Sequence, residues 1–242
     1  MKKLLLLLLL IPLISCTEDW TGEKEVTFLQ DRNGIQYEVN SEVGFTGKYV
    51  EYYENGQKSY ERNFMNGKRE GLTTTWFENG QKKSEDNVKD GEIEGLTTEW
   101  HENGQKRSEV NWKNGDFDGL VIGWYENGQK VSEANWKNGK QDGLKTEWHK
   151  NGRKESEGNW KNDKQEGLLT AWYENGQKRT EINYKNGKKE ELQTRWHENG
   201  QKRSEVNWVD GKVDGVVTFW DKEGDVTKTG TYKDGKLVKE VI

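Results

Sequence analysis

The sequence predicts an all-β protein, an elongated, twisted, single-layer antiparallel meander of 24-residue hairpin repeats. Two aromatic series with the same spacing, together with recurring Asn-Gly dipeptides, indicate this fold class. The first series is Trp76, Trp100, Trp124, Trp148, Trp172, Trp196 and Trp220. The second series contains Trp112, Trp136, Trp160 and Trp208, with Phe64, Val88, Tyr184 and Tyr232 at its other places. A fixed period over this many units is typical of a stacked repeat array rather than a globular domain.

Each unit is predicted to contain two short strands. In one unit they are LTTEWH at 96–101 and KRSEVNW at 106–112, where bulky and polar residues alternate as in a half-buried strand. The linkers that follow these strands are Glu102-Asn103-Gly104 and Lys113-Asn114-Gly115, and Asn-Gly is a strong hairpin signal. The array is assigned to residues 45–220, with a C-terminal cap at 221–242.

The length of each hairpin loop decides which side chains share a face. A three-residue loop with glycine in the left-handed region pairs Trp100 with Lys106 and Leu96 with Val110. Both tryptophan series then lie on one face, which favours this register, because a one-residue slip would expose a whole apolar set. We therefore predict type I turns with a glycine bulge at both ends of every unit. The repeated lysines of the Lys106 position are expected beside the first tryptophan series.

Two substitutions interrupt the glycine pattern of the turns. Asp163 and Glu191 stand where other units have glycine. Aspartate tolerates the left-handed region better than glutamate does. A local distortion is therefore expected near Glu191.

The amino-acid composition indicates a thin but folded protein. Only 30% of the residues are hydrophobic and 33% are charged, yet there are 12 Trp, 9 Tyr and 6 Phe. Large aromatic side chains can bury about 150–250 Å² each, so a few of them stabilise a thin structure. The formal net charge of -5 argues against nucleic acid as a partner, because such proteins normally carry a basic patch.

The N-terminus has the pattern of a secretory leader. Met1-Lys2-Lys3 is basic, and the apolar run from Leu4 to Ile14 is too short to span a bilayer. Residues 1–15 are therefore predicted to be a signal peptide. Leu13-Ile14-Ser15-Cys16 resembles the lipobox of bacterial lipoproteins, which implies lipidation of Cys16 and anchoring in the bacterial cell envelope. The alternative is an ordinary signal peptide followed by an unmodified thiol. Residues 16–44 are assigned to the lipidated N-terminus, a tether and an N-terminal cap.

The repeating unit W-[YH]-E-N-G-Q-K-x-x-E-x-N-[WY]-K-N-G-K-x-[DE]-G resembles the bacterial variant of the MORN repeat. The resemblance covers about residues 45–235, and Asp163 and Glu191 depart from it. It implies a twisted, grooved antiparallel sheet that serves as a binding scaffold. Many bacterial members of the family are regarded as antitoxin- or immunity-like, and the resemblance supplies no catalytic residues.

No catalytic or metal-binding arrangement stands out in the sequence. His101, His149 and His197 lie 48 residues apart, and on the predicted sheet they would be too distant to share one metal ion. The repeated serines lack a neighbouring base, and the repeated acids give no unique pair. The sequence therefore predicts a protein that is not an enzyme and that has no cofactor.

The tryptophans of both series form the candidate binding groove. Packing of these rings into a thin core is the simplest role for most of them. A groove that stays partly open would instead bind a partner. The leading hypothesis is a non-catalytic, membrane-anchored lipoprotein that mediates protein–protein interaction, of an antitoxin- or immunity-like kind. The alternative is a carbohydrate- or cell-wall-binding array that stacks its tryptophans on sugars.

Overall fold

The computed structural model describes residues 24–241 and contains a long repetitive β-sheet. The predicted signal peptide and Cys16 lie outside the described residues. The strands are β1 (Glu25–Val26), β2 (Gln30–Arg32), β3 (Ile35–Tyr37), β4 (Gly47–Tyr52), β5 (Lys58–Met65), β6 (Lys68–Trp76), β7 (Lys82–Lys89), β8 (Glu92–Ile93), β9 (Gly95–Trp100), β10 (Lys106–Lys113), β11 (Asp116–Trp124), β12 (Lys130–Lys137), β13 (Lys140–Trp148), β14 (Lys154–Lys161), β15 (Lys164–Trp172), β16 (Lys178–Lys185), β17 (Lys188–Trp196), β18 (Lys202–Val209), β19 (Lys212–Trp220), β20 (Val226–Lys233) and β21 (Lys236–Val241).

The main sheet is an antiparallel meander, which confirms the predicted fold class. From β4 to β21 each strand pairs with the next, and β8 and β9 together take one place beside β7. One parallel pair joins β1 to β4 at the start of the sheet, a feature that the sequence did not predict. β2 and β3 form a separate hairpin. Within residues 24–241, no helix has the length and apolar character needed to cross a bilayer.

The Glu-Asn-Gly turn has the predicted three-residue loop. The His101 amide donates to the Gln105 carbonyl at 2.8 Å, and the Gly104 amide donates to the His101 carbonyl at 2.9 Å. Gly104 has a φ of 82°, the left-handed conformation that ends a type I turn with a glycine bulge. Trp100 pairs with Lys106, as expected.

The opposite turn differs from the prediction. Trp112 pairs with Phe117 and Lys113 with Asp116, which leaves a two-residue loop of Asn114 and Gly115. Both loop residues have positive φ angles, 50° and 75°, as a type I′ turn requires. The prediction of a three-residue loop at this end was wrong, because Asn-Gly fits the shorter loop equally well.

A bulge next to the Glu-Asn-Gly turn changes the strand register in every unit. Trp100 faces Lys106, but Glu99 faces Ser108, so Arg107 is an extra residue in its strand. Beyond the bulge, Thr97 faces Val110, whereas Leu96 was predicted to do so. Leu96 instead faces Asn111.

The two tryptophan series consequently lie on opposite faces of the sheet, and the prediction of a shared face was wrong. Directly opposed residues share a face, and successive residues of a strand alternate. The first face, as we call it, carries the positions of Leu96, Thr98, Trp100, Lys106, Glu109 and Asn111. The second face carries the positions of Thr97, Glu99, Ser108, Val110 and Trp112.

The core is thin and is distributed along the array. Its buried apolar residues are Phe45, Val50, Phe64, Val88, Ala134, Ala171, Ile182 and Val217. Threonines of the first face are buried as well, including Thr98, Thr146, Thr170 and Thr194. Leu96 and the equivalent residues Leu72, Leu144, Leu168, Leu192 and Val216 remain more than 40% exposed, because no second layer covers the sheet there. Leu120, at the same position, is half-buried.

Glu191 adopts the conformation of the glycine it replaces. Its φ is 61°, β17 continues through it, and it pairs with Trp208 as Gly95 pairs with Trp112. Its carboxylate accepts a hydrogen bond from Asn183 Nδ2 at 2.8 Å. The expected local irregularity is present, since the β16–β17 pairing shifts register between Glu181 and Asn183, opposite Thr194 and Glu190. The same shift occurs beside Gly167, so glutamate does not cause it, and any cost of the glutamate is confined to the backbone of one residue.

The left-handed conformation at this position should cost stability when the residue has a side chain. We expect Gly167→Glu to lower the free energy of unfolding by about 1 kcal/mol, because Gly167 has a φ of 74°. A Cβ there would meet nothing within 4 Å, so the change isolates the backbone. Glu191→Gly should raise the free energy by a similar amount, less the contribution of the Asn183 hydrogen bond. Urea unfolding followed by tryptophan fluorescence measures both, and unchanged midpoints would contradict the explanation.

Candidate functional site

The first-face tryptophans are partly covered by lysine side chains. Lys82 Nζ lies 5.8 Å from the ring centroid of Trp100, and the same ammonium forms an ion pair with Glu85. Equivalent contacts recur as Lys106 with Trp124, Lys130 with Trp148, Lys178 with Trp196, and Lys202 with Trp220. The predicted placement of the lysines beside this series is confirmed. Each of these five rings is thus held by a lysine of the preceding unit.

The Glu-Asn-Gly turns are joined to one another along one edge of the sheet. Asn103 Oδ1 accepts from the Gln105 amide at 3.0 Å within its own turn. Asn103 Nδ2 donates to the Glu126 carbonyl of the next turn at 2.7 Å. The same bridge to the next unit is made by Asn55, Asn79, Asn127, Asn151, Asn175 and Asn199. These hydrogen bonds between consecutive units explain why asparagine recurs at this position, without a role for a ligand.

The histidines also connect neighbouring units. His101 Nε2 lies 2.9 Å from the Trp124 carbonyl oxygen, and His149 and His197 make the same contact at 3.0 Å. Because a carbonyl can only accept, Nε2 carries the proton. Tyrosine hydroxyls at the equivalent positions 53, 125 and 173 donate in the same way. Over residues 24–241 no group of three or more metal-ligating side chains occurs.

Acidic residues stabilise the Asn-Gly turns at the opposite edge. Glu94 Oε2 accepts from the Asn114 amide at 2.9 Å. Equivalent acceptors are Glu70, Asp118, Glu166, Glu190 and Asp214. Sequence reasoning missed this role, although an acidic residue 20 positions before the turn was visible in most units.

The two faces differ in how strongly they repeat. On the first face the Thr98 position holds threonine in almost every unit, and the Glu109 and Asn111 positions are equally constant. On the second face the Thr97 position reads Thr73, Thr97, Val121, Lys145, Leu169, Gln193 and Val217. The Glu99 position reads Thr75, Glu99, Gly123, Glu147, Ala171, Arg195 and Phe219. The contacts that repeat from unit to unit therefore lie mainly on the first face and at the edges, whereas these two positions of the second face vary. The second face also carries most of the buried apolar residues, namely Phe64, Val88, Ala134, Ala171, Ile182 and Val217.

An aromatic cluster interrupts the second face near its middle. The ring centroids of Trp112 and Phe117 are 4.5 Å apart, and those of Phe117 and Trp136 are 5.2 Å apart, both edge-to-face. The indole N–H groups of Trp112 and Trp136 are buried without an acceptor among the described residues. Trp208, by contrast, donates to Gln193 Oε1 at 3.2 Å.

A cavity of about 390 Å³ lies beside the first unit of the array. Tyr49, Glu51, Tyr60, Arg62 and Phe64 line it from the second face, and Leu29 and Gln36 close it from the N-terminal segment. The Arg62 guanidinium stacks 4.5 Å from the Tyr60 ring centroid. Burial lowers the pKa of Arg62, and burial also raises the pKa of Asp86, which the positive charges of Arg69 and Arg62 partly offset.

A second cavity, of about 460 Å³, lies on the second face between β15 and β18. Its lining includes Arg179, Lys189, Arg195 and Arg203. Burial lowers the pKa of the Lys189 ammonium, and the charge of Arg195 lowers it further. The sequence did not mark these residues as a site.

These features agree with the comparison to known families. The chain matches the MORN repeat variant over residues 45–66, 69–90, 93–114, 117–138, 141–162, 165–186 and 192–210. The matches cover more than half of the sequence, and the chain therefore belongs to this family. The last match begins just after Glu191, at the departure seen in the sequence. MORN repeats are generally non-enzymatic modules that bind proteins or membranes. No curated protein matches the chain.

The tryptophans proposed as one groove are thus divided between the two faces. Trp76, Trp100, Trp124, Trp148, Trp172, Trp196 and Trp220 belong to the first face, and Trp112, Trp136, Trp160 and Trp208 to the second. A single groove lined by all of them is ruled out. Binding of a ligand by either series stays a prediction.

The stacking role of the histidines can be tested by matched substitutions. We expect His101→Phe to lower the free energy of unfolding by about 1 kcal/mol, because the Trp124 carbonyl loses its donor. His101→Tyr should be close to neutral, since tyrosine makes this contact at positions 53, 125 and 173. Urea unfolding measures the difference. Equal stability of the two variants would contradict the assigned role.

Proposed function

We propose that this protein is a non-catalytic, lipid-anchored binding scaffold whose second face binds a protein partner. The observation that carries the proposal is the variation of the second face within an otherwise repetitive chain. The Thr97 and Glu99 positions change in size and charge from unit to unit, although the Ser108 and Trp112 positions of the same face largely repeat. The mixture of apolar and charged residues on the second face also suits a non-obligate protein interface.

The N-terminal sequence supports attachment to a membrane. The basic start, the apolar run and Cys16 form the lipoprotein-like leader described above. We place the mature protein in the bacterial cell envelope, attached to the membrane through a lipid on Cys16. An antitoxin- or immunity-like protein at this location would neutralise a toxin outside the cytoplasm.

The anchor can be tested directly at its proposed attachment residue. We expect Cys16→Ser to abolish incorporation of a radiolabelled fatty acid, because no other cysteine is available for thioether formation. The variant should also leave the membrane fraction of lysed cells. Wild-type protein expressed in parallel is the control. Unlabelled wild-type protein, or membrane association that survives the substitution, would contradict the anchor.

The second face can be tested by substitutions that the array already contains. Phe117→Gln with Val121→Lys copies Gln141 and Lys145, which occupy the same positions one unit later. The matched control is Leu96→Lys with Leu144→Gln, which makes the same change of charge at exposed first-face positions. We expect a specific partner from envelope extracts to be recovered at least fivefold less with the second-face variant. The control should recover it normally, as measured by quantitative mass spectrometry.

Recovery of the same proteins by the wild type, the second-face variant and the control, with native unfolding midpoints, would contradict binding through the second face.

A second candidate function is carbohydrate binding, which the Trp112–Phe117–Trp136 cluster favours because aromatic side chains can stack on sugars. A glycan array with tryptophan fluorescence tests it. Quenching by a defined saccharide that Phe117→Gln alone abolishes would support this candidate over the protein partner.

A further inference from the structure

The cavity between β15 and β18 has an apolar floor and a wide extent. Leu169 and Ile182, which pair directly across β15 and β16, line it, and Ile182 is only 1% exposed. Tyr173 and Trp196 also line it. Its volume of about 460 Å³ is within the range of ordinary ligand pockets. The cavity can accept side chains of a partner as well as a small ion.

Four cationic side chains surround this cavity without a compensating acid. Arg179, Lys189, Arg195 and Arg203 line it, and its described lining includes no aspartate or glutamate. Within the described part of the chain, the ion pairs include none of the four. Arg107, at the position equivalent to Arg179 and Arg203, instead lies 4.0 Å from Glu99. The cluster is therefore an uncompensated positive patch on a chain whose net charge is -5.

The cluster is a property of these units and does not follow from the repeat. Gln141 and Gln165 occupy the position of Lys189 in the two preceding units. Ala171 and Glu147 occupy the position of Arg195. Lys189 is half-buried and the three arginines are exposed, so their mutual repulsion in the free protein is small at ordinary salt. A ligand of opposite charge would meet all four cationic side chains at once.

Carboxylates match this arrangement well. A guanidinium binds a carboxylate through two parallel hydrogen bonds, and several arginines can hold several carboxylates. The neighbouring Tyr173, Tyr184 and Leu169 offer apolar contact to the rest of a peptide. We propose that the cavity binds an acidic segment of a protein partner, with its carboxylates held by the four cationic side chains. This inference rests on the proposed function of the second face.

The site is tested with a defined probe and with substitutions taken from neighbouring units. The probe is a fluorescein-labelled hexaglutamate peptide, measured by fluorescence anisotropy with the full chain at low ionic strength. Lys189→Gln with Arg195→Ala should raise the Kd at least tenfold. Arg107→Gln should leave the Kd within twofold, because that residue lies outside the cavity beside Glu99. Equal Kd values for the wild type and the double variant would overturn the proposal.

Competition by other anions and the stability of the double variant provide two further tests. Inorganic phosphate and vesicles containing anionic phospholipid are tested as competitors, and stronger binding of either through the same residues would overturn the peptide assignment. The double variant should unfold at a urea concentration close to that of the wild type, because it loses both the repulsion among the cationic side chains and the contact of Lys189 Nζ with the Trp208 ring, 4.4 Å from the ring centroid. If it recovers the partner normally while Phe117→Gln with Val121→Lys does not, the acidic-segment inference fails and the scaffold function stands.

Discussion

The two different turns of each unit, and the bulge beside one of them, determine which side chains lie on each face of the sheet. A three-residue loop at His101–Gln105 and a two-residue loop at Asn114-Gly115 fix the pairing of the strands between them. Because side chains alternate along a strand, the single extra residue Arg107 moves Val110 and Trp112 to the face opposite Trp100. Each face acquires its own chemistry, and an even period of 24 residues preserves that division along the array.

A sheet of one layer needs a substitute for a deep core, and here contacts between consecutive units provide it. Asn103 binds the next Glu-Asn-Gly turn, Glu94 binds the next Asn-Gly turn, and Lys82 covers the next tryptophan. All three contacts join a unit to its successor, so stability is expected to grow by nearest-neighbour increments. The Thr97 and Glu99 positions of the second face take no part in these three contacts, and the residues at those positions differ from unit to unit.

Sequence reasoning predicted the period, the strands and the Glu-Asn-Gly loop, because tryptophan spacing and Asn-Gly dipeptides are strong local signals. It failed at Arg107, since a bulge of this kind has no residue requirement and Arg107 looks like any strand residue. It also failed at Asn114-Gly115, where the same dipeptide serves a shorter loop. The parallel pairing of Glu25 with Lys48 depends on tertiary contact alone. The prediction that both tryptophan series share one face failed because of the bulge at Arg107.

Arg195 and Arg203 come together on the second face without being paired directly across the strands. In the structure Ser204 faces Arg195, yet the two arginines still line one cavity with Lys189. Neighbouring units have alanine or glutamine at the positions of Arg195 and Lys189, so the repeat itself does not require these charges. Within the described residues none of the three side chains forms an ion pair, which leaves their charges available to a ligand of the second face.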